Sequence, residues 1–65
     1  MLGNELRRVR QEKMLTQEEL SFRAKVDRTY ISELENNHKS PTVDVLIRLC
    51  KAMGTKASAI VARIE

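Results

Sequence analysis

The sequence predicts an all-α fold, a compact array of five short helices, and three observations point to it. Its 65 residues include only two glycines and one proline, so breaks in the chain are few. Apolar residues recur at helical spacing, and no stretch alternates as a strand would. Thr16, Asp27 and Thr42 each stand just before a periodic stretch, where a side-chain oxygen can accept from the free amides of a first helical turn.

In the first helix Leu2, Leu6 and Val9 form the apolar stripe, Arg7, Arg8, Arg10 and Lys13 take the other faces, and the end falls near Lys13. The second opens with Thr16-Gln17-Glu18-Glu19, a capping box flanked by Leu15 and Leu20 as a hydrophobic staple, and runs to Ala24. After Lys25-Val26 the third starts from Asp27, with Val26 and Ile31 as its staple. Only Ile31 and Leu34 are strongly apolar there, so its outer face, rich in hydrogen-bonding side chains, is expected to meet solvent or a polar ligand. Thr42 caps a fourth helix carrying Val43, Leu46, Ile47, Leu49, Cys50 and Met53, the expected backbone of the core, and Gly54 stops it at the C′ position. In the last helix Ala57, Ile60, Val61 and Ile64 share one face, free either to close the core or to meet a second subunit.

Composition bounds the function. One domain spanning residues 1–65 is expected, marginal in stability at this length and open to help from a partner subunit. Twelve Lys and Arg against nine Asp and Glu give a net charge of +3, a modest basic excess that suits a polyanion without demanding one. The single cysteine, Cys50, excludes a disulfide framework and a cysteine-based zinc site, and fits a reducing cytoplasm. With one histidine, one cysteine and no glycine-rich phosphate loop, no catalytic triad, metal cluster or nucleotide site is expected, and no cofactor. The longest apolar runs, Ala59-Ile60-Val61-Ala62 and Val45-Leu46-Ile47, are too short for a membrane span or signal peptide.

The informative unit is the pair of helices over 16–24 and 27–36, joined by only Lys25 and Val26. So short a connection forces a sharp crossing, the helix-turn-helix arrangement, and projects the polar face of the second helix outward. An α-helix fits the major groove of B-DNA and reads base edges from its N-terminal end. Residues 28, 29, 32 and 33 share that face. Arg28 suits the acceptors of guanine, Thr29 a thymine methyl or polar edge, and Glu33 either accepts from a cytosine amine or holds Arg28 in place.

LRRVRQEKMLTQEELS (6–21), VDRTYISELEN (26–36), Pro41 and LIRLCKAMG (46–54) together resemble the Cro and lambda-repressor-like group, also called the XRE family. DRTYIS in particular resembles restriction-modification controller proteins. The resemblance implies a five-helix lambda-repressor-like fold and a sequence-specific regulator of transcription bound to double-stranded DNA. By position it implies that Arg28, Thr29, Ser32 and Glu33 face the bases. It places Gln17 and Asn36 on phosphates, with Lys39, Arg10 and His38 as further backbone contacts. It also pairs Arg10 with Glu35 in an internal salt bridge, so Arg10 is expected in both roles. Lys25 departs from the frequent glycine of the turn and suggests that the turn does not need glycine's freedom; Asn37 and Lys56 replace a usual glycine and a usual serine cap. Phe22, at a position usually polar, either packs along a neighbouring side chain or docks a protein.

A homodimer joined through Ala57, Ile60, Val61 and Ile64 is expected on a pseudo-palindromic operator, since one recognition helix reads too few base pairs to specify a site. Glu18 and Glu19 lie where some relatives touch RNA polymerase, so the resemblance implies an RNA polymerase contact there, although the capping role explains Glu19 without it. A cytoplasmic, nucleoid-associated location follows, with no membrane partner. The competing expectations are the DNA-binding antitoxin of a toxin-antitoxin pair, for which the chain has little spare length, and a helical protein-interaction module.

Overall fold

The computed structural model describes residues 2–64, all helix, turn and loop among those residues. Five helices follow in order: α1 (Leu2–Glu12), α2 (Gln17–Ala24), α3 (Arg28–Glu35), α4 (Val43–Met53) and α5 (Ala57–Ala62). The expected boundaries and caps are present. Thr16 Oγ1 accepts from the Glu19 amide at 3.0 Å while Glu19 Oε1 accepts from the Thr16 amide at 2.9 Å, closing the capping box. Asp27 accepts from Thr29 N at 2.7 Å and Thr42 Oγ1 from Val45 N at 3.2 Å. Gly54 ends α4 with φ 73°. Lys56 caps nothing with its side chain, and α5 begins directly after it.

α2 lies against α3 and α4, and α1 against α3 and α5, around a core that draws on every helix. Leu6, Val9, Leu15, Leu20, Ala24, Val26, Ile31, Leu34, Leu49, Cys50, Met53 and Ile60 are its buried members. Burial pushes the Cys50 thiol above its ordinary value, in keeping with a packing role. α4 is less completely core than its composition suggests. Val43 and Ile47 are exposed and Leu46 is only half-buried, because α2 and α5 cover one side of a helix whose apolar residues spread around it. Of the stripe expected either to close the core or to meet a second subunit, Ile60 is sealed inside the core and so is removed from the expected dimer surface, while Val61 and Ile64 stay exposed and Ala57 is half-buried.

The turn between α2 and α3 corrects another expectation. Lys25 takes the left-handed conformation, φ 57° and ψ 46°, the region where glycine is favoured, so the turn does need that freedom and the lysine holds it under strain. Arg48 from α4 offsets part of this. Its Nε and Nη2 donate to the Ala24 carbonyl at 3.2 and 3.0 Å, and Nη2 also reaches the Lys25 carbonyl, so one cation covers acceptors left open at the end of α2. Asn37, with φ 60°, follows α3 in the same region, where asparagine is tolerated.

Asn37 also anchors α1. Its Oδ1 accepts from the Gly3 amide at 3.0 Å and its Nδ2 donates to Asn4 Oδ1 at 2.8 Å. A Cβ on Gly3 would run into the Leu34 carbonyl oxygen, so only glycine lets α1 approach the end of α3 this closely.

Two substitutions separate these effects. Lys25→Gly is expected to raise the unfolding free energy by roughly 0.5–1 kcal/mol through relief of the left-handed strain. Gly3→Ala is expected to lower it by about 1–3 kcal/mol through the clash with backbone. Urea titrations of both proteins check the opposite signs, and a stabilised Gly3→Ala would show that α1 does not meet α3 as described.

Candidate nucleic-acid interface

α3 divides into two faces. Ile31, Leu34 and Glu35 are buried, while Arg28 and Thr29 are exposed and Ser32 and Glu33 partly so. The four base-reading candidates therefore lie together on the outer side of the helix, as the sequence implied. Glu33 turns to Lys39, whose Nζ lies 3.5 Å from Glu33 Oε1 and 5.9 Å from the centroid of the Tyr30 ring. The partner of Glu33 is thus Lys39, and Arg28 is left out of that pair.

The inner face is fixed by Glu35. Its side chain is 1% exposed, yet it is charged, so it needs partners from the elements around it. Arg10 of α1 supplies two: Nε donates to Oε2 at 2.6 Å and Nη2 to Oε1 at 2.9 Å. Gln17, in the first turn of α2, donates from Nε2 to Oε1 at 3.0 Å. Arg7 of α1 brings its Nε to 3.6 Å from the same Oε1. Burial works to raise the Glu35 pKa, but the hydrogen bonds from Arg10 and Gln17 and the charges of Arg10 and Arg7 outweigh it and hold the carboxyl below its ordinary value.

This arrangement sorts the phosphate candidates. Arg10 is 11% exposed, and its Nη1 donates to the Leu15 carbonyl at 2.7 Å in addition to the two bonds to Glu35. Its guanidinium is consumed inside the protein, so the salt-bridge expectation holds and the phosphate expectation for Arg10 does not. Gln17 is tied to Glu35, half-buried, at the N-terminal end of α2. Asn36, exposed, accepts on Oδ1 from Arg7 Nη2 at 2.9 Å and donates from Nδ2 to the Ser32 carbonyl at 2.8 Å. Lys39 and His38 are exposed in the loop after α3. The sequence alone puts Arg7 on a polar face of the first helix, and only folding brings it to Asn36 and Glu35.

The fold and this site have known counterparts. Residues 6–60 match the sequence model of a family described as Helix-turn-helix. The chain belongs to that family. It is 41% identical over 54 residues to y4dJ, an HTH-type transcriptional regulator of Sinorhizobium fredii, covering 83% of this chain and 70% of that protein. It is 32% identical over 57 residues to the control protein C.BamHI of Bacillus amyloliquefaciens, covering 86% of this chain and 70% of that one. The restriction-modification controller protein C.AhdI of Aeromonas hydrophila superposes with a TM-score of 0.88 at 27% identity, over 91% of this chain and 89% of the other. This helix-turn-helix protein is a DNA-binding regulator of transcription and not an enzyme. Among its described residues no helix is long and apolar enough to cross a membrane.

Phe22 completes the surface of the regulator's α2. It does not pack along a neighbour: 85% of it is exposed, above a shallow depression lined by Glu18, Glu19 and Arg23.

The Glu35 network predicts an acid-labile fold. A carboxyl whose folded pKa is depressed contributes stability that is fully present above its unfolded value and is lost as pH falls through the folded one. Glu35 is such a group, and so is Glu19, held low by the Thr16 amide and hydroxyl. Unfolding free energy is therefore expected to be level near neutrality and to fall below about pH 4.5, the ordinary value of both carboxyls. Glu35→Ala, which strands Arg10, is expected to cost about 3–5 kcal/mol at pH 7. Chemical denaturation across pH 3–7 reads both, and a stability profile flat down to pH 3 would contradict the pairing.

Proposed function

We propose that this regulator binds a pseudo-palindromic operator as a symmetric homodimer, with α3 of each subunit in the major groove. The observation that carries the reading is the two-faced α3. Its inner face is pinned to α1 and α2 through Glu35, and its outer face presents Arg28, Thr29, Ser32 and Glu33 together. Arg28 and Thr29, in the first turn, reach base edges first. Arg28 is the guanine reader, and Lys39 sets the position of Glu33. Gln17, Asn36 and Lys39 hold phosphates beside the groove, and such contacts fix register without reading sequence.

Ala57, Val61 and Ile64 contribute the dimer surface, with Ile47 beside them on α4. Support comes from the exposure of Ile47, Val61 and Ile64 and from an apolar hollow between α4 and α5, lined in part by Ile47, Cys50 and Ala57. Ile60 acts beneath that surface, in the core. The likeness to C.BamHI and C.AhdI supports the controller role, regulation of a restriction-modification operon. A second contact, with RNA polymerase through Glu18, Glu19 and Phe22, is favoured by the exposed aromatic ring on the outer side of α2.

Selection of bound duplexes from a random pool is expected to return an inverted repeat with half-site centres about 34 Å apart. Arg28→Ala is expected to cost about 1–3 kcal/mol on that site and relax preference at one base pair of each half. An unchanged motif with unchanged affinity would refute the assignment of the reading face. Val61→Asp with Ile64→Asp is expected to leave the fold intact, yield a monomer in sedimentation and weaken operator binding far more than non-specific binding. A doubly substituted protein that remained dimeric would place the interface elsewhere.

A further inference from the structure

The Glu35 network does not balance its charge. Two guanidinium groups, those of Arg10 and Arg7, face one carboxylate, and they differ in how they meet it. Arg10 makes two hydrogen bonds to Glu35 and is nearly buried, so the two charges neutralise each other inside the fold. Arg7 approaches at 3.6 Å, beyond hydrogen-bond distance, and 44% of its side chain is exposed. The surplus positive charge is therefore on Arg7, on the solvent side.

Arg7 is also oriented. Asn36 Oδ1 accepts from its Nη2 at 2.9 Å, and Asn36 is held in turn through its Nδ2 on the Ser32 carbonyl. A guanidinium has five N–H donors, and these contacts leave several free. Gln17 Nε2 and Arg7 Nε converge on one oxygen, Glu35 Oε1, so the start of α2, the end of α3 and Arg7 meet at a single place. A long arginine usually loses side-chain freedom on gripping an anion, and here much of that ordering is already done.

We infer that Arg7 is a DNA-phosphate ligand, supplying the full positive charge of a seat whose neutral members are Gln17 and Asn36. The seat belongs to the duplex-reading α2–α3 unit and rests on that reading. Asn36 acts twice there, as a contact and as the residue that aims Arg7. Arg8, one position along α1, serves as an internal comparison. It donates to both Glu5 and Glu12, so its charge is answered within the helix.

The test is the salt dependence of duplex binding, followed by fluorescence anisotropy on the selected operator and on an unrelated duplex. Releasing one phosphate contact lowers the slope of log K against log salt by about 0.9. Arg7→Gln is expected to reduce the slope by that amount per subunit on both duplexes while the order of base preference stays as in the parent. Arg7→Lys, which keeps the charge, is expected to retain the slope, and Arg8→Gln is expected to leave it unchanged. In the unsubstituted protein the Arg7 Nε–H resonance is expected to shift when duplex is added and that of Arg8 to stay, a readout that does not depend on any variant folding. A parental slope for Arg7→Gln, an equal loss for Arg8→Gln or a stationary Arg7 resonance would overturn the assignment while the DNA reading stood. An unsubstituted protein without salt-dependent duplex binding would overturn both.

Discussion

One buried carboxylate organises this molecule. Glu35 sits among side chains of three helices with almost no access to water, and an isolated carboxylate there would be prohibitively unfavourable. Arg10 from α1 and Gln17 from α2 answer it, so the charge can be buried only when α1, α2 and α3 stand in one relation to each other. A buried ion pair contributes little net stability once desolvation is counted, and its benefit here is registration. Apolar contacts among Leu6, Leu20, Ile31 and Leu34 hold the helices together, but such contacts tolerate small slides. Bidentate hydrogen bonds do not.

Function follows from that registration. A recognition helix reads bases by hydrogen bonds whose geometry fails over fractions of an ångström, so its inner face must be held as firmly as its outer face is free. α3 meets both demands within eight residues, and the side chains that fix it are neighbours of those proposed to meet DNA. The arrangement also divides the arginines of α1 by task. Arg10 is spent inside, Arg8 is paired along its own helix, and Arg7 is left charged and oriented at the edge of the reading unit. With Arg7 in the proposed phosphate seat, a chain with a net charge of only +3 directs positive charge at a phosphate without being strongly basic.

What the sequence revealed was mostly local. The capping box at Thr16, the caps at Asp27 and Thr42 and the stop at Gly54 depend on residues a few positions apart, and all are present in the fold. The outer face of α3 was legible for the same reason, as a helix with a thin apolar stripe. Features set by distant partners were not. Lys25 looked like evidence for a relaxed turn, whereas packing of α3 on α2 forces it left-handed and Arg48 arrives from α4 to cover the carbonyls. Gly3 gave no sign of its role because the Leu34 carbonyl it admits lies far along the chain. Helical spacing grouped Ile60 with Val61 and Ile64, but α5 is a short helix pressed on α1 and α4, and its stripe divides between core and surface. Arg10 matched two roles by position, and only its burial decides between them.

The claim that Glu35 and Arg10 serve orientation more than stability is tested most directly by replacing both with methionine. The measurement is the ratio of operator to non-specific affinity in Arg10→Met with Glu35→Met, read beside its unfolding free energy. Apolar replacement of a whole buried pair is often neutral or stabilising, so a stability within about 1 kcal/mol of the parent is expected. The affinity ratio is expected to fall at least tenfold, because α3 keeps its packing and loses its registration. A folded double variant that discriminated its operator as well as the parent would contradict the account.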